Sequence, residues 1–296
     1  MLRITDLCKS FGSVNVLKGL SLHVPEHSIF GFIGKNGNGK TTTMKTVLGL
    51  LKADSGSVEV AGEKVRYGNS PTNRYIGYLP DVPEFYSFMT APEYLKFCGE
   101  ITGMSNDDIK IKSGELLELV GLQGEKHRIG GFSRGMKQRL GIAQALINSP
   151  RLLICDEPTS ALDPIGRKEI LDILSSARER TTVLFSTHIL SDVERICTDV
   201  AFLRDGKAEL QGSISDIKSS YSIDEYSVET DDGDTVRALL ERFPAMTADG
   251  GKLVFRESDV CVFDVMAFIA EKRLHTVKIE RSEPTLESLF MEVESR

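Results

Sequence analysis

The chain has 296 residues, 41% of them hydrophobic and 27% charged, a globular composition and a length that suits one large domain and a small one. No apolar run approaches the roughly 18 residues needed to cross a bilayer, and MLRITDLCKS at the start lacks the apolar core of a secretory signal, so we expect a soluble chain that stays where it is made. Five widely spaced cysteines without a C-x-x-C pair argue against a zinc site or a disulfide framework. The net charge of −7 is carried by the residues after Ser213 and gives no reason to expect nucleic acid as the main partner.

The first 65 residues are predicted to form mainly strands. Short alternating runs within residues 1–27, such as LRITDL and GLSLHV, indicate antiparallel strands. The segment SIFGFIG is typical of a buried strand, and residues 56–65 have the pattern of a hairpin. A helix-compatible run from Thr41 to Leu51 lies between these two elements.

Helical spacing of apolar residues dominates from Pro83 to Ser149, in APEYLKFCGEITG, SGELLELVGL and SRGMKQRLGIAQALI. Two strongly apolar segments follow, RLLICDE and TTVLFSTH, with the predicted helix GRKEILDILSSARER between them. This order predicts a parallel, buried sheet. The hairpin VAFLRDGKAELQG, with Asp205 and Gly206 at its turn, closes a first domain of residues 1–213.

After residue 213 the pattern changes to short strands that alternate with helices. The expected strands lie near residues 226–229, 252–256 and 276–280, and the expected helices near residues 235–242, 259–273 and 285–293. These elements predict a compact accessory α/β domain over residues 214–296.

The segment Gly34–Thr41 matches the pattern G-x-x-x-x-G-K-[ST] between a predicted strand and a predicted helix. Backbone N–H groups of such a loop, together with a helix N-terminus, form an anion-binding cavity. Side chains at Gly37 and Gly39 would obstruct the phosphates or require unfavourable backbone angles. Lys40 places a cation on the outer phosphates, and Thr41 offers its hydroxyl to Mg²⁺. The residues expected to bind the nucleotide here are Gly34, Lys35, Asn36, Gly37, Asn38, Gly39, Lys40, Thr41 and Thr42.

Two adjacent carboxylates follow the apolar run LLIC. Asp156 is expected at the mouth of a buried strand, where it can hold metal-bound water, and Glu157 is placed to take a proton from an attacking water. General-base assistance of this kind is typically worth about 10² to 10⁴ in rate. Two solvated acids at a strand end are common in α/β proteins, but after a phosphate-binding loop they favour nucleotide hydrolysis.

Further motifs occur in the order of the ATP-binding cassette (ABC) family, and residues 2–213 resemble the motor subunits of ABC transporters. FSRGMKQRL, residues 132–140, occupies the place of the family signature LSGGQ, which caps the γ-phosphate of ATP bound to the opposite subunit. Ser133 and Gly135 match the signature, whereas Arg134 and Met136 replace its first glycine and its glutamine. Ser133 also has a structural interpretation, as the N-cap of an amphipathic helix.

The resemblance implies an α/β fold of the P-loop NTPase class. It comprises a RecA-like mixed sheet, an antiparallel β subdomain and a helical subdomain at about residues 83–149, and here a small C-terminal α/β module follows. Ser160 and Asp163 occupy the positions of the family's D-loop, which crosses between subunits. His188 occupies the position of the family's switch histidine, which orients water. Phe11 matches the aromatic that stacks on adenine, with Val16 beside it.

Asp81 departs from the family pattern. In GYLPD, residues 77–81, it occupies the place of a glutamine that contacts Mg²⁺ and signals the nucleotide state to the membrane partner. A carboxylate accepts from metal-bound water as well, but it is shorter and adds charge. The resemblance thus implies ATP and Mg²⁺ as cofactors, Thr41, Asp81 and Asp156 as metal ligands, and Lys40, Glu157 and His188 as catalytic residues.

The same resemblance implies an ATPase that works as a head-to-tail pair, with a second copy or a paralogue completing each ATP site. It predicts docking of a separate membrane permease through Val82–Gly103, and a peripheral location on the cytoplasmic face of the membrane. PTLESLFMEV, residues 284–293, resembles the closing segment of ATPases that serve ABC-2-type exporters. Two alternatives stay open: a soluble cassette of translation or DNA maintenance, and a regulatory nucleotide binder without turnover, against which Glu157 and His188 argue.

Overall fold

The structure, a computed structural model, describes residues 1–220, 225–249, 252–281 and 285–295. It divides into two compact units: the first comprises Met1–Ile214 together with residues 293–295, and the second comprises Ser215–Glu292. Pro284, the first residue of the segment PTLESLFMEV, lies outside the described residues. Within the described ranges, no helix combines the length and the apolar character that a membrane span requires.

The first unit begins with three strands, contains three consecutive helices in its middle, and alternates between strands and helices from β7 to β9. Its strands are β1 (Leu2–Phe11), β2 (Val14–Val24), β3 (Ile29–Ile33), β4 (Ser55–Val60), β5 (Glu63–Lys64), β6 (Ile76–Leu79), β7 (Leu152–Asp156), β8 (Thr182–Thr187), β9 (Asp199–Arg204) and β10 (Lys207–Ser213). Its helices are α1 (Lys40–Val47), α2 (Ala91–Ile101), α3 (Asn106–Leu119), α4 (Arg134–Leu146), α5 (Pro164–Ala177) and α6 (Leu190–Ile196).

The antiparallel sheet of this unit has the strand order β2-β1-β4-β5. Leu2 pairs with Val24 on one side and with Val60 on the other, and all three side chains are buried. The alternation of apolar and polar residues in β1 and β2 places one face of the sheet on the core, as antiparallel sheets commonly do. The predicted antiparallel strands near the start of the chain are confirmed.

A six-stranded sheet with the order β10-β9-β3-β8-β7-β6 forms the centre of the unit. The strands from β9 to β6 run parallel, and β10 joins β9 as the predicted antiparallel hairpin. Every residue of β3, β7 and β8 is buried, which confirms the predicted parallel, buried sheet. Because parallel strands end at the same edge, the residues that follow these three strands lie close together, and ligands of such folds bind at that edge.

Local capping decides where the helices begin and end. A capping box between Thr90 and Glu93 opens α2. The apolar spacing predicted α3 only from residue 113, but the helix begins at Asn106 because the Ser105 side chain accepts a hydrogen bond from the Asp108 N–H. α1 ends at Val47, earlier than the predicted Leu51, and Gly49 follows in the left-handed region with φ of 71°.

The second unit combines an antiparallel sheet with helices. Its elements are α7 (Ile214–Ser220), β11 (Glu225–Glu229), α8 (Gly233–Arg242), β12 (Thr247–Asp249), β13 (Lys252–Arg256), α9 (Val262–Lys272), β14 (Lys278–Arg281) and α10 (Leu286–Ser295), and the strand order is β12-β13-β11-β14. Val228, Leu239 and Val265 are fully buried in its core. The predicted order of strands and helices is confirmed from β11 onward, with three differences in the unit. Helix α7 and the exposed strand β12 were not predicted, and α9 begins after a turn at residues 257–259 instead of at Asp259.

Candidate active site

The loop between β3 and α1 has the backbone that its glycines predict. Gly37 and Gly39 have φ angles of 90° and 101°, in the left-handed region that side chains rarely adopt. A Cβ atom at Gly39 would lie 2.7 Å from Leu17 Cδ2, so a side chain there would force Leu17 to move in addition to straining the backbone. The Asn38 side-chain amide donates to the Leu203 carbonyl at 2.9 Å and fastens the loop to β9.

Lys40 is held inside this loop. Its side chain is only 5% exposed, and the Nζ atom donates to the Gly34 carbonyl at 2.6 Å and lies 3.4 Å from the Lys35 carbonyl. The same ammonium is 3.2 Å from Glu157 Oε1. The predicted cation therefore lies between the glycine loop and the predicted general base.

The two predicted carboxylates lie at the carboxyl end of β7. Asp156 accepts from the Thr41 hydroxyl on Oδ2 at 2.8 Å, which joins the strand to the first turn of α1. Glu157 is the next residue and has a left-handed backbone with φ of 48°. His188, just after β8, places Nδ1 at 3.0 Å from Glu157 Oε2. The base thus has a cation on one carboxylate oxygen and an imidazole on the other.

A cavity of about 550 Å³ opens at this edge of the sheet. It brings residues from distant parts of the sequence together: Phe11, Val16, Asn36, Gly37, Gly39, Lys40, Thr41, Thr42, Asp81, Asp156 and Glu157. Phe11 is about half exposed, and the Lys9 ammonium lies 5.4 Å from the centre of its ring. Three predicted binding residues, Gly34, Lys35 and Asn38, do not line the cavity. The Gly34 and Lys35 carbonyls instead contact the Lys40 ammonium, and Asn38 fastens the loop to β9.

Asp81 lies in the same cavity and is linked to the predicted D-loop. The Ser160 hydroxyl donates to Asp81 Oδ1 at 2.8 Å. Asp163 instead caps α5, where its side chain accepts from the Gly166 N–H at 2.7 Å. The link between Asp81 and Ser160 connects the segment after β6 with the segment after Glu157.

The predicted signature residues lie outside this cavity. Ser133 caps α4 by accepting from the Met136 N–H at 3.2 Å, so its structural interpretation applies. Arg134, Gly135 and Met136 form the first turn of that helix. Within one chain these four residues do not line this cavity, which is the arrangement that a role toward a second subunit requires.

The oxygen atoms at the site suit Mg²⁺. Thr41 and Asp156 offer a hydroxyl and a carboxylate that are 2.8 Å apart. Across the residues that the structure describes, no group of three or more His, Cys, Asp or Glu side chains is arranged to hold a metal by itself. Mg²⁺ in ATPases is usually held by one or two protein oxygens together with phosphates, so this sparse set of ligands fits that ion.

Neighbouring ionisable groups stay neutral beside these carboxylates. Burial, with a smaller contribution from the Asp156 carboxylate, raises the pKa of Tyr78 to about 12. Burial also raises the pKa of the Cys155 thiol, again with a smaller contribution from Asp156. Neither group becomes a base or a nucleophile near neutral pH, and this supports Glu157 as the group that accepts a proton.

Sequence reasoning missed a buried polar link behind the site. Asp192 in α6 is 3% exposed and accepts from the Thr159 hydroxyl and from Arg167, both at 2.7 Å. It joins the segment after Glu157, helix α5 and the helix that follows His188. The acidic residue in this short amphipathic helix was the available signal for the buried contact. Its partners are 25 and 33 residues away in the sequence, so the sequence does not indicate which residues it contacts.

Replacement of Asp192 by alanine is expected to destabilise the first unit by about 2 to 3 kcal/mol, because hydrogen bonds to a charged group are lost and buried donors are left unpaired. Asp172→Ala is a matched control, since it removes an Asp–Arg pair at 2.9 Å that is exposed to solvent. We expect that control to cost less than about 1 kcal/mol. Urea unfolding of both variants measures the difference, and equal midpoints would contradict the role of Asp192.

Comparison with known proteins decides the family. The family model described as ABC transporter matches residues 17–160. YxlF of Bacillus subtilis strain 168, an ABC transporter ATP-binding protein, is 38% identical over 303 residues, and the alignment covers 99% of each chain. This chain belongs to the ABC transporter ATP-binding proteins. It is accordingly an ATP-binding subunit of an ABC transporter and a member of a family of ATPases.

Two other similar proteins agree with the ABC assignment. The bacitracin transport ATP-binding protein BcrA of Bacillus licheniformis is 45% identical over 210 residues, which are 70% of this chain and 68% of BcrA. The dimeric structure of the cassette MJ0796 in a post-hydrolysis state, bound to ADP and Pi, matches with a TM-score of 0.65 and 25% identity, over 72% of this chain and 99% of MJ0796. The family resemblance, the cassette fold and the ATPase activity expected from the sequence are confirmed.

Proposed function

We propose that this ABC ATPase hydrolyses MgATP between two cassettes and uses the closing motion to drive a separate membrane exporter. The observation that carries the proposal is the convergence of Lys40, Glu157 and His188 beside the glycine loop. We assign residues 1–213 to the ATP-binding domain, with its helical subdomain at about 83–149, and residues 214–296 to an accessory domain. The division of the chain after Ile214 supports this assignment.

The chain's own groups supply most of the proposed chemistry. Loop N–H groups and Lys40 bind the phosphates, and Phe11 and Val16 contact the adenine. Glu157 takes a proton from the attacking water, and His188 holds that water toward the γ-phosphate. Thr41, Asp81 and Asp156 would hold Mg²⁺, which neutralises developing phosphate charge when bound.

A second cassette is needed because the signature residues Ser133, Arg134, Gly135 and Met136 lie outside the cavity of their own chain. In the proposed head-to-tail dimer, the N-terminus of α4 faces the γ-phosphate held by the other chain, where its N–H groups favour negative charge. Ser160 and Asp163 contact the partner near the same point. ATP then holds the dimer closed, and hydrolysis releases it.

An aromatic surface in the helical subdomain is the proposed permease contact. We define it as Phe85, Tyr86, Phe88 and Phe97, which lie around the buried Tyr94, all within the predicted docking region Val82–Gly103. A cleft of about 530 Å³ opens there, and Tyr86 is 50% exposed beside the more exposed Phe88. Such clustered apolar exposure favours a protein contact. Docking here would hold the ATPase on the cytoplasmic face of the membrane.

Export is favoured by the likeness to BcrA, a protein named for bacitracin transport, and by the closing segment that resembles those of ABC-2-type ATPases. A regulatory binder without turnover is less well supported, because Glu157 and His188 are within hydrogen-bonding distance of one another. A hydrolytic centre with both groups in place is suited to turnover.

Tyr86→Glu tests the proposed membrane partner. We expect cross-linked recovery of the permease from membranes to fall at least about tenfold, since a charge replaces a central aromatic contact, while ATP hydrolysis by the free protein stays near the wild-type rate. Tyr67→Glu is the matched control, because Tyr67 is a tyrosine outside the aromatic surface that is 65% exposed, somewhat more than Tyr86. Recovery of ribosomes or DNA in place of a membrane protein would contradict the proposal.

A further inference from the structure

Ser186 is a buried hydroxyl at the carboxyl end of β8 that the proposed mechanism does not use. Its side chain has no exposure to solvent. In the parallel pairing of β7 and β8 it lies directly beside Asp156. The sheet register therefore places a hydroxyl next to the proposed metal ligand, on the side away from Thr41.

The hydroxyl makes one hydrogen bond to each of the two carboxylate residues. Ser186 Oγ donates to Asp156 Oδ1 at 2.7 Å and accepts from the Glu157 N–H at 3.0 Å. Thr41 donates to the other Asp156 oxygen. Asp156 is thus held from both sides, which leaves its carboxylate a single orientation.

Glu157 needs such support because of its backbone. Its φ of 48° is rare for a residue with a side chain, and conformations of this kind persist only where surrounding contacts hold them. The Ser186 hydroxyl is the acceptor for the N–H of that residue. The turn that it stabilises places the Glu157 carboxylate toward Lys40 and His188.

We propose that Ser186 is a positioning residue for ATP hydrolysis: one buried hydroxyl orients the Asp156 carboxylate toward Mg²⁺ and the Glu157 backbone toward the attacking water. This inference rests on the proposed function. A serine that merely filled a buried strand position would need only one partner, whereas this one joins the metal ligand to the base.

Ser186→Ala tests the role, with Ser28→Ala as its matched control. Ser28 is also buried, and its hydroxyl donates to the Pro25 carbonyl at 2.9 Å beside the start of β3, away from the carboxylates. Ser186 makes two hydrogen bonds, one of them to a carboxylate, whereas Ser28 makes one, so we expect the larger fall in melting temperature for Ser186→Ala. We expect Ser186→Ala to lower kcat by about 10- to 100-fold, and Ser28→Ala to stay within about twofold of wild type.

Binding of a fluorescent ATP analogue gives a readout apart from hydrolysis. With EDTA present, Ser186→Ala should bind the analogue like the wild type. The gain in affinity on adding Mg²⁺ should be about tenfold smaller in the variant, because the metal ligand is less well oriented. Ser186→Thr keeps the hydroxyl and should retain more of the metal-dependent gain and more activity than Ser186→Ala.

Equal kcat values for Ser186→Ala and Ser28→Ala would overturn the assignment. An equal loss of affinity with and without Mg²⁺ would also overturn it, since that pattern indicates general damage to the site. A lower kcat and a smaller Mg²⁺-dependent gain in affinity for Ser186→Thr than for Ser186→Ala would overturn it as well. A wild-type protein that binds MgATP without hydrolysing it would reject the proposed function, and the metal-dependent affinity of Ser186→Ala would still decide the role of Ser186.

Discussion

Glu157→Gln is expected to bind MgATP, to lose about 10²- to 10⁴-fold in kcat, and to accumulate as a dimer. The substitution keeps the size of the side chain but removes the proton acceptor. Without hydrolysis, ATP stays between the two cassettes and the closed form is not released. Size-exclusion chromatography with light scattering, in ATP and in ADP, measures the trapped dimer.

The contacts of Glu157 explain why binding should survive this change. Its Oε1 atom is 3.2 Å from Lys40 and its Oε2 atom is 3.0 Å from His188, whereas the glycine loop is held by its own backbone and by Asn38. An amide at position 157 retains an acceptor oxygen and relieves the charge beside the γ-phosphate. The phosphate site therefore keeps its cation and its N–H groups.

Glu115→Gln is the control, since that glutamate is exposed on α3 and lies 3.7 Å from Arg180, outside the cavity. It should hydrolyse ATP at the wild-type rate and remain monomeric to the same degree as the wild type. Hydrolysis by Glu157→Gln at the wild-type rate would reject the base assignment. Loss of both binding and hydrolysis would show that the substitution disturbs the loop itself.

The glycine loop could be predicted because its conformation is encoded locally. Gly37 and Gly39 adopt φ angles that other residues avoid, and their spacing before Lys40 is visible in the sequence. The buried strands β3, β7 and β8 were equally visible as apolar runs. Once these strands are parallel, the residues that follow them must meet at one edge, which places Asp156 and His188 near the loop.

The supporting hydrogen bonds could not be predicted in the same way. Ser186 is 30 residues from Asp156, and the two meet only because β7 and β8 pair in one particular register. Asp192 likewise depends on where α6 packs. A one-residue change of register would move Ser186 away from Asp156. Because β7 and β8 are buried along their whole length, they have no alternation of buried and exposed residues from which that register could be predicted.

Short elements with weak patterns were missed as well. α6 has seven residues, and β6 has four that are only partly apolar in sequence, so neither supplies a full period of its pattern. β6 becomes a strand because it pairs with β7 at the edge of the central sheet. This tertiary pairing brings Asp81, two residues beyond its end, into the nucleotide cavity.

Lys40→Ala is expected to weaken ATP binding by about 10- to 100-fold, since a charge-assisted contact to the phosphates is worth about 1.5 to 3 kcal/mol. The side chain is almost fully buried, and among the residues that the structure describes no other lysine lines the cavity. Its removal also deprives Glu157 of the ammonium at 3.2 Å, so the repulsion between this carboxylate and the phosphates increases. Hydrolysis should become undetectable for this reason as well as for lack of bound ATP.

Lys45→Ala is the control that separates the loss of the contact between Lys40 and the phosphates from a general effect of removing one positive charge. Lys45 is in the last turn of the same helix, is exposed, and does not line the cavity, so the two variants have the same net charge and the same substitution in α1. Isothermal titration with ATP should give a wild-type Kd for Lys45→Ala and a much higher Kd for Lys40→Ala. If both variants bound ATP like the wild type, the glycine loop would not be the phosphate site, and the geometry around Asp156, Glu157 and His188 would need another ligand.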